Sequence, residues 1–185
     1  PSYGGTYRFA TIELPARGVK TRFIGDFTAL TDEDFADNVT MVFLESPSNP
    51  LLRVSDIAAI AEVAHRNGAI VVVDNTFMTP LLQKPLDLGA DISVQSATKY
   101  LGGHADLLGG VAATNDDALA ERLWHLQMIT GAMLSPTDSY RLLQEVTGWE
   151  GTGAAANLGA MNIPVAGKTG TTDDSRVRYF VGYTP

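Results

Sequence analysis

An acid that closes one buried strand and a lysine that follows the next have a spacing with chemical consequences. The apolar run Ala69-Ile-Val-Val-Val73 ends in Asp74-Asn-Thr76, and the strand-like run Asp91-Ile-Ser-Val-Gln95 leads into Ser96-Ala-Thr-Lys-Tyr-Leu-Gly-Gly-His104. A lysine amine forms an imine with an aldehyde, and a carboxylate holds a pyridine nitrogen protonated, which turns the ring into an electron sink. Lys99 and Asp74 are therefore predicted to hold pyridoxal phosphate (PLP), with Lys99 also carrying protons between carbons. Ser96 and Thr98 would donate hydroxyls to the phosphate, Tyr3 would stack on the ring, and Asn49 would hydrogen-bond its phenolic oxygen. Each residue alone has a plainer role as cap, packing or solvated surface. Their order on successive strand ends is what carries the functional reading.

The elements that must position these groups alternate strand and helix signals over residues 1–139. Val19–Ile24 and Thr40–Leu44 read as short strands, the second running into the turn-rich Glu45-Ser-Pro-Ser-Asn-Pro50. Ser55 reads as the cap of a helix with Ile57, Ile60, Ala61 and Ala64 on one face and Gly68 as its stop. Ala69–Val73 lacks polar alternation, as a strand covered on both sides does. Gly109–Thr114 reads as a further strand, followed by a helix from about Asp116 to Ile129 in which Trp124 is expected to pack. The pattern predicts an α/β fold with a doubly wound, mostly parallel sheet, which binds ligands beyond the C-terminal strand ends. The run Thr31-Asp-Glu-Asp34 reads as a helix start.

Composition sets the outer limits. With 185 residues and 45% hydrophobic content the chain can bury one real core. A formal charge of −8, without any clustering of Lys and Arg, argues against a nucleic-acid partner. The absence of cysteine excludes disulfides, thiolate catalysis and Cys-ligated zinc, and His65, His104 and His125 are too scattered for a metal site. No apolar run is long enough to span a membrane and no signal-like segment opens the chain, so a cytoplasmic protein is expected. The start at Pro1-Ser-Tyr-Gly-Gly5, with no lead-in, reads as a fragment's.

Four ordered motifs carry a resemblance. Tyr3-Gly-Gly-Thr-Tyr-Arg8, Glu45-Ser-Pro-Ser-Asn-Pro-Leu-Leu-Arg53, Val73-Asp-Asn-Thr-Phe77 and Ser96–His104 are similar to those of the cystathionine γ-synthase, cystathionine γ-lyase and methionine γ-lyase family. The resemblance covers nearly all of residues 1–139. It implies the PLP fold type I, of the aspartate aminotransferase kind, and elimination or replacement on small sulfur amino acids. By the same resemblance Lys99 is the Schiff-base lysine, Asp74 the pyridinium partner and Tyr3 the stacking and acid–base tyrosine. Ser96 and Thr98 would bind phosphate, Asn49 would contact the cofactor oxygen and the substrate, and Thr76 would pack beneath the ring. Ala105 departs from the pattern, because the family commonly has a polar residue after the histidine. The family's N-terminal phosphate loop, its Tyr/Arg pair lent to a neighbouring subunit and its C-terminal carboxylate-binding arginine have no counterpart here. The expectation is a truncated site with weakened cofactor binding and impaired activity, and a homo-oligomer only if other segments support one.

Residues from about 140 resemble something else. Gly151-Thr-Gly153, Val165-Ala-Gly-Lys-Thr-Gly-Thr-Thr-Asp-Asp-Ser175 and Phe180–Pro185 are similar to the end of the transpeptidase domain of class A penicillin-binding proteins. That resemblance implies a carboxylate-binding role for Lys168, Thr169 and Gly170, on a β-hairpin across Lys168–Tyr183 that follows a short helix over Tyr140–Val146. Ser96 and Lys99 also spell S-x-x-K, but they follow a strand and precede Gly102-Gly103, and no Ser-x-Asn element lies between Lys99 and Lys168. Gly167-Lys-Thr169 is not a P-loop, since Asn162 stands where its first glycine is needed. The join implies a chimera, whose alternative functions are a penicillin-binding transpeptidase fragment or a catalytically silent scaffold.

Overall fold

The computed structural model describes residues 2–27, 30–147 and 178–182. Its centre is a five-stranded sheet of β1 (Met41–Glu45), β2 (Ile70–Asp74), β3 (Ile92–Ser96), β4 (Gly110–Thr114) and β5 (Arg178–Gly182), ordered as in the sequence. β1, β2 and β3 are parallel neighbours, while β4 pairs antiparallel with both β3 and β5. Four strands thus run one way and β4 alone is reversed, which gives the mostly parallel α/β sheet. The strand order does not reverse direction among the described residues, so no doubly wound switch point is seen among them. β4 turns back because the stretch between it and β3 contains a single kinked turn and no crossover helix.

The core forms where parallel strands meet an amphipathic helix. α3 (Ile57–Arg66) buries Ile57, Ile60, Ala61 and Ala64, as its spacing predicts, and ends at Asn67 before Gly68, whose φ of +77° suits glycine. These side chains join Val42, Leu44, Val71 and Val73, which point to one side of the sheet. The helix cap is Asp56 rather than Ser55: Asp56 Oδ1 accepts from the Ala59 N–H at 3.1 Å. The Ser55 N–H is occupied elsewhere, donating to Ser46 Oγ at 3.0 Å, and this bond closes the loop after β1.

Outside this core the expectations fare unevenly. Val19–Ile24 is coil, since its apolar side chains find no strand to pair with and most stay exposed. The chain instead begins with α1 (Gly4–Arg8), a wider turn over Phe9–Glu13 and α2 (Leu14–Ala16), none of which buries a residue. Thr31 caps a helical turn over Asp32–Phe35 through a reciprocal Thr31–Asp34 capping box. α4 is one turn, Thr79–Leu82, and α5 covers Asp117–Thr130. Trp124 on α5 is 42% exposed, not packed. α6 spans Pro136–Thr147, beginning earlier than the sequence signal. A second cluster of Ala97, Leu107 and Leu142 ties α6 to the turn after β3. β5 covers the edge of β4, while Lys168, Thr169, Gly170 and the rest of the expected hairpin lie outside the described residues.

Candidate active site

Three parallel strands bring three polar residues to one edge. Glu45, Asp74 and Ser96 are the last residues of β1, β2 and β3, and Glu45 stands directly opposite Asp74 in the register. In-register neighbours on parallel strands project to the same side, about 4.8 Å apart along the sheet. The chain turns away immediately after each strand, so the polar side chains crown the sheet and its apolar interior lies behind them.

Thr76 links two of these ends. Its hydroxyl donates to Asp74 Oδ1 at 2.6 Å and accepts from the Ser96 N–H at 2.8 Å, while its own N–H reaches the same Asp74 oxygen at 3.0 Å. Asp74 is half-buried with Oδ1 fully engaged, and among the described residues Oδ2 takes no hydrogen bond. Thr76 was expected to pack beneath a ring; its hydroxyl is also the bridge between the β2 and β3 ends. This is a bond that residue spacing does not reveal.

Lys99 lies three residues past Ser96, at a non-helical kink within the turn Ala97–Leu101. Its carbonyl accepts from the Gly103 N–H at 2.8 Å, which ties the kink to the glycine pair. At Gly102 a Cβ would come within 2.6 Å of the Ala97 carbonyl oxygen, so the turn requires glycine there. The Lys99 side chain is exposed and has no ion pair or hydrogen bond among the described residues. Lys99 and Asp74 therefore occupy the same end of the sheet, braced through Thr76 and Ser96. The Thr98 hydroxyl accepts from the Gly109 N–H at 3.0 Å and donates to the Gly109 carbonyl at 3.3 Å. A phosphate role for Thr98 would compete with that longer bond. Ser96 Oγ has no hydrogen bond among the described residues.

Tyr3 and Asn49 converge on a residue to which the sequence reading gave no role. The Tyr3 N–H donates to Glu45 Oε2 at 3.0 Å, and the Asn49 N–H also reaches this carboxylate. Tyr3 caps α1 through its carbonyl, and its ring lies against Gly5, where a Cβ would stand 2.6 Å from Cε1. Asn49 is half-buried in the loop after β1, which Ser48 closes by exchanging backbone bonds with Leu52 and Arg53. Partial burial pushes the Glu45 carboxyl above its ordinary pKa, and the neighbouring Asp74 charge adds to the shift. The N–H groups of Tyr3 and Asn49 oppose it. The signal for Glu45 was present in the sequence: both β1 and β2 end in an acid, and parallel pairing sets those acids side by side.

This donor set fits a pyridine ring bearing an aldehyde and a phosphate. Asp74 Oδ2 can face a ring N–H, Lys99 has an uncommitted amine, and Ser96 has an uncommitted hydroxyl. Among the described residues no group of His, Asp or Glu could hold a metal ion, and no helix is long and apolar enough to cross a membrane.

Comparison with known proteins identifies the family of the chain. The chain is 42% identical over 146 residues to the cystathionine γ-lyase of Bacillus subtilis, covering 78% of this chain and 38% of that protein. It is 47% identical over 144 residues to the cystathionine γ-lyase of Dictyostelium discoideum, covering 77% and 37%. The crystal structure of cystathionine γ-lyase from Lactobacillus plantarum complexed with L-serine superposes with a TM-score of 0.70 at 40% identity, covering 77% of this chain and 38% of that one. The chain thus spans little more than a third of the length of these relatives. The family profile for Cys/Met metabolism PLP-dependent enzymes matches residues 1–148. This chain belongs to the Cys/Met metabolism PLP-dependent enzyme family.

Proposed function

We propose that this chain carries the lysine-bearing part of a PLP site that acts on sulfur amino acids by elimination or replacement at the β or γ carbon. The observation that carries this reading is the braced row of Asp74, Thr76 and Ser96, with the uncommitted Lys99 amine at the next turn. When bound, PLP supplies an electron sink for the substrate's α-carbon. Asp74, with one oxygen pinned by Thr76, offers the other as a fixed negative charge that keeps a ring nitrogen protonated. Lys99 Nζ would hold the cofactor's aldehyde carbon, and its amine would carry a proton between substrate carbons. Ser96 and Thr98 bind phosphate, Tyr3 covers the ring and exchanges a proton through its hydroxyl, and Asn49 orients the substrate. Relatives named γ-lyases, β-lyases and a γ-synthase support the substrate class without choosing between elimination and replacement. A small-molecule substrate, a cytoplasmic setting and a homo-oligomer belong to the same proposal.

The test is PLP-dependent release of an α-keto acid from L-cystathionine by the whole chain. Release that is lost in both Lys99→Ala and Asp74→Asn supports the proposal; release that persists in either variant overturns it. The transpeptidase-fragment reading is less favoured, because Ser96 ends a strand with its N–H bound to Thr76 and Lys99 sits at a kink, not one turn along a regular helix. Labelling of Ser96 by a fluorescent penicillin would reverse that preference. A chain inert in both assays would be the silent scaffold.

A further inference from the structure

We propose that Glu45 is a positioning residue: its carboxylate fixes Tyr3 and the Asn49 loop to the end of β1, and so holds both beside Asp74. This inference rests on the PLP-site reading and deepens it.

The geometry singles out Glu45 from the other acids of the chain. It is in register with Asp74, its Oε2 accepts the Tyr3 N–H at 3.0 Å, and the Asn49 N–H approaches the same carboxylate. The three contacts come from the N-terminal segment, the loop after β1 and strand β2, which are distant in sequence. The segment that bears Tyr3 has no fully buried residue through α1, the following turn and α2, so core packing contributes little to its position. A charge-assisted hydrogen bond to a strand end can fix it. The Tyr3 carbonyl caps α1 while its N–H is held by Glu45, so displacing the carboxylate frees the start of that helix and the ring together. Asp74 keeps its own brace from Thr76, so loss of Glu45 leaves the pyridinium partner in place. Glu45 therefore acts through Tyr3 and Asn49 and needs no contact with cofactor.

Two readouts separate this proposal from the reading beneath it. The first is hydrogen exchange on the cofactor-free chain. In Glu45→Ala the amides of residues 3–8 exchange faster, by about tenfold for one lost charge-assisted bond, while those of Val71–Asp74 are unchanged. Unchanged exchange over residues 3–8 overturns the proposal. The second is a cycle of PLP affinities. Glu45→Ala and Tyr3→Ala each weaken binding, the double variant is no weaker than Tyr3→Ala alone, and Glu45→Gln retains most of the affinity because its amide oxygen still accepts. Additive losses, or a Glu45→Gln variant as weak as Glu45→Ala, overturn it. If PLP affinity ignores Lys99→Ala, the functional reading fails and takes the role toward the ring with it, whereas a failure of Glu45 alone shows in the exchange experiment.

Discussion

Residues 41–96 and residues 2–24 supply groups to one edge of the sheet, but they are held there by different forces. The first region buries Leu44, Val71 and Val73 against α3, and its polar ends are cross-linked by Thr76. The second has no buried residue; a Thr21 hydroxyl on the Ala10 carbonyl at 2.9 Å and the Tyr7 and Phe23 rings at 5.2 Å fold it on itself, and the Tyr3–Glu45 bond at one end and the Arg22–Asp34 ion pair at 3.4 Å at the other tie it to the rest of the molecule. The lesson is that a site can take its charged anchor from a rigid sheet and its ring-covering group from a segment tethered by polar contacts. Hydrophobic burial scales with area, so the sheet region must dominate stability, while the tether governs geometry.

The comparison can be broken most forcefully in the core. Leu44→Ala, at a side chain 2% exposed, is expected to cost about 2–5 kcal/mol in urea unfolding. Ile12→Ala, 60% exposed, is expected to change stability by no more than about 0.5 kcal/mol. Equal losses would mean that the N-terminal segment has a core of its own. Next in size is the cross-link: Thr76→Val leaves the Ser96 N–H without its partner and should cost about 1–3 kcal/mol, with Thr76→Ser restoring most of it. A smaller effect is expected at Ala105, which sits at φ +55°, in the left-handed region that favours Asn or Gly. Ala105→Asn should raise stability by up to about 1 kcal/mol in urea unfolding.

The finest probe is pH. Glu45 is held above its ordinary value of 4.5, first by burial and then by the Asp74 charge, against the pull of the two N–H groups. The folded state therefore keeps this proton where the unfolded chain has released it. The resulting stabilisation is complete below 4.5 and is lost as pH rises through the raised pKa. Chemical denaturation across that window should show stability falling with pH in the wild type, and the decline should vanish in Glu45→Gln. Asp32 works in the opposite sense: hydrogen bonds from Asn67 and then Arg66 lower its pKa, so its contribution is present above 3.8 and fades on acidification.

How much of this was legible in the sequence depended on whether burial or pairing decided the structure. The α3 face and the strands around Val71 and Val73 were readable because apolar period and burial coincide there. Val19–Ile24 was misread because β-branched residues favour a strand only where a partner strand exists. Ser55 and Asp56 are both good caps, and the choice went to Asp56 because the Ser46 hydroxyl claims the Ser55 backbone. The reversal at β4 depends on the path of the chain through the kink at Lys99, which no periodicity encodes. Within the proposed site, residue types and their order suggested Lys99, Asp74, Ser96 and Tyr3, whereas the Thr76 bridge and the Glu45 hub needed the structure.

The most direct test is covalent. The whole chain is incubated with PLP and reduced with borohydride, and the modified peptide is mapped by mass spectrometry. The account predicts a pyridoxyl group on Lys99, diminished in Asp74→Asn and absent in Lys99→Ala. Modification spread over Lys20, Lys84 and Lys168, with no preference for Lys99, would contradict it.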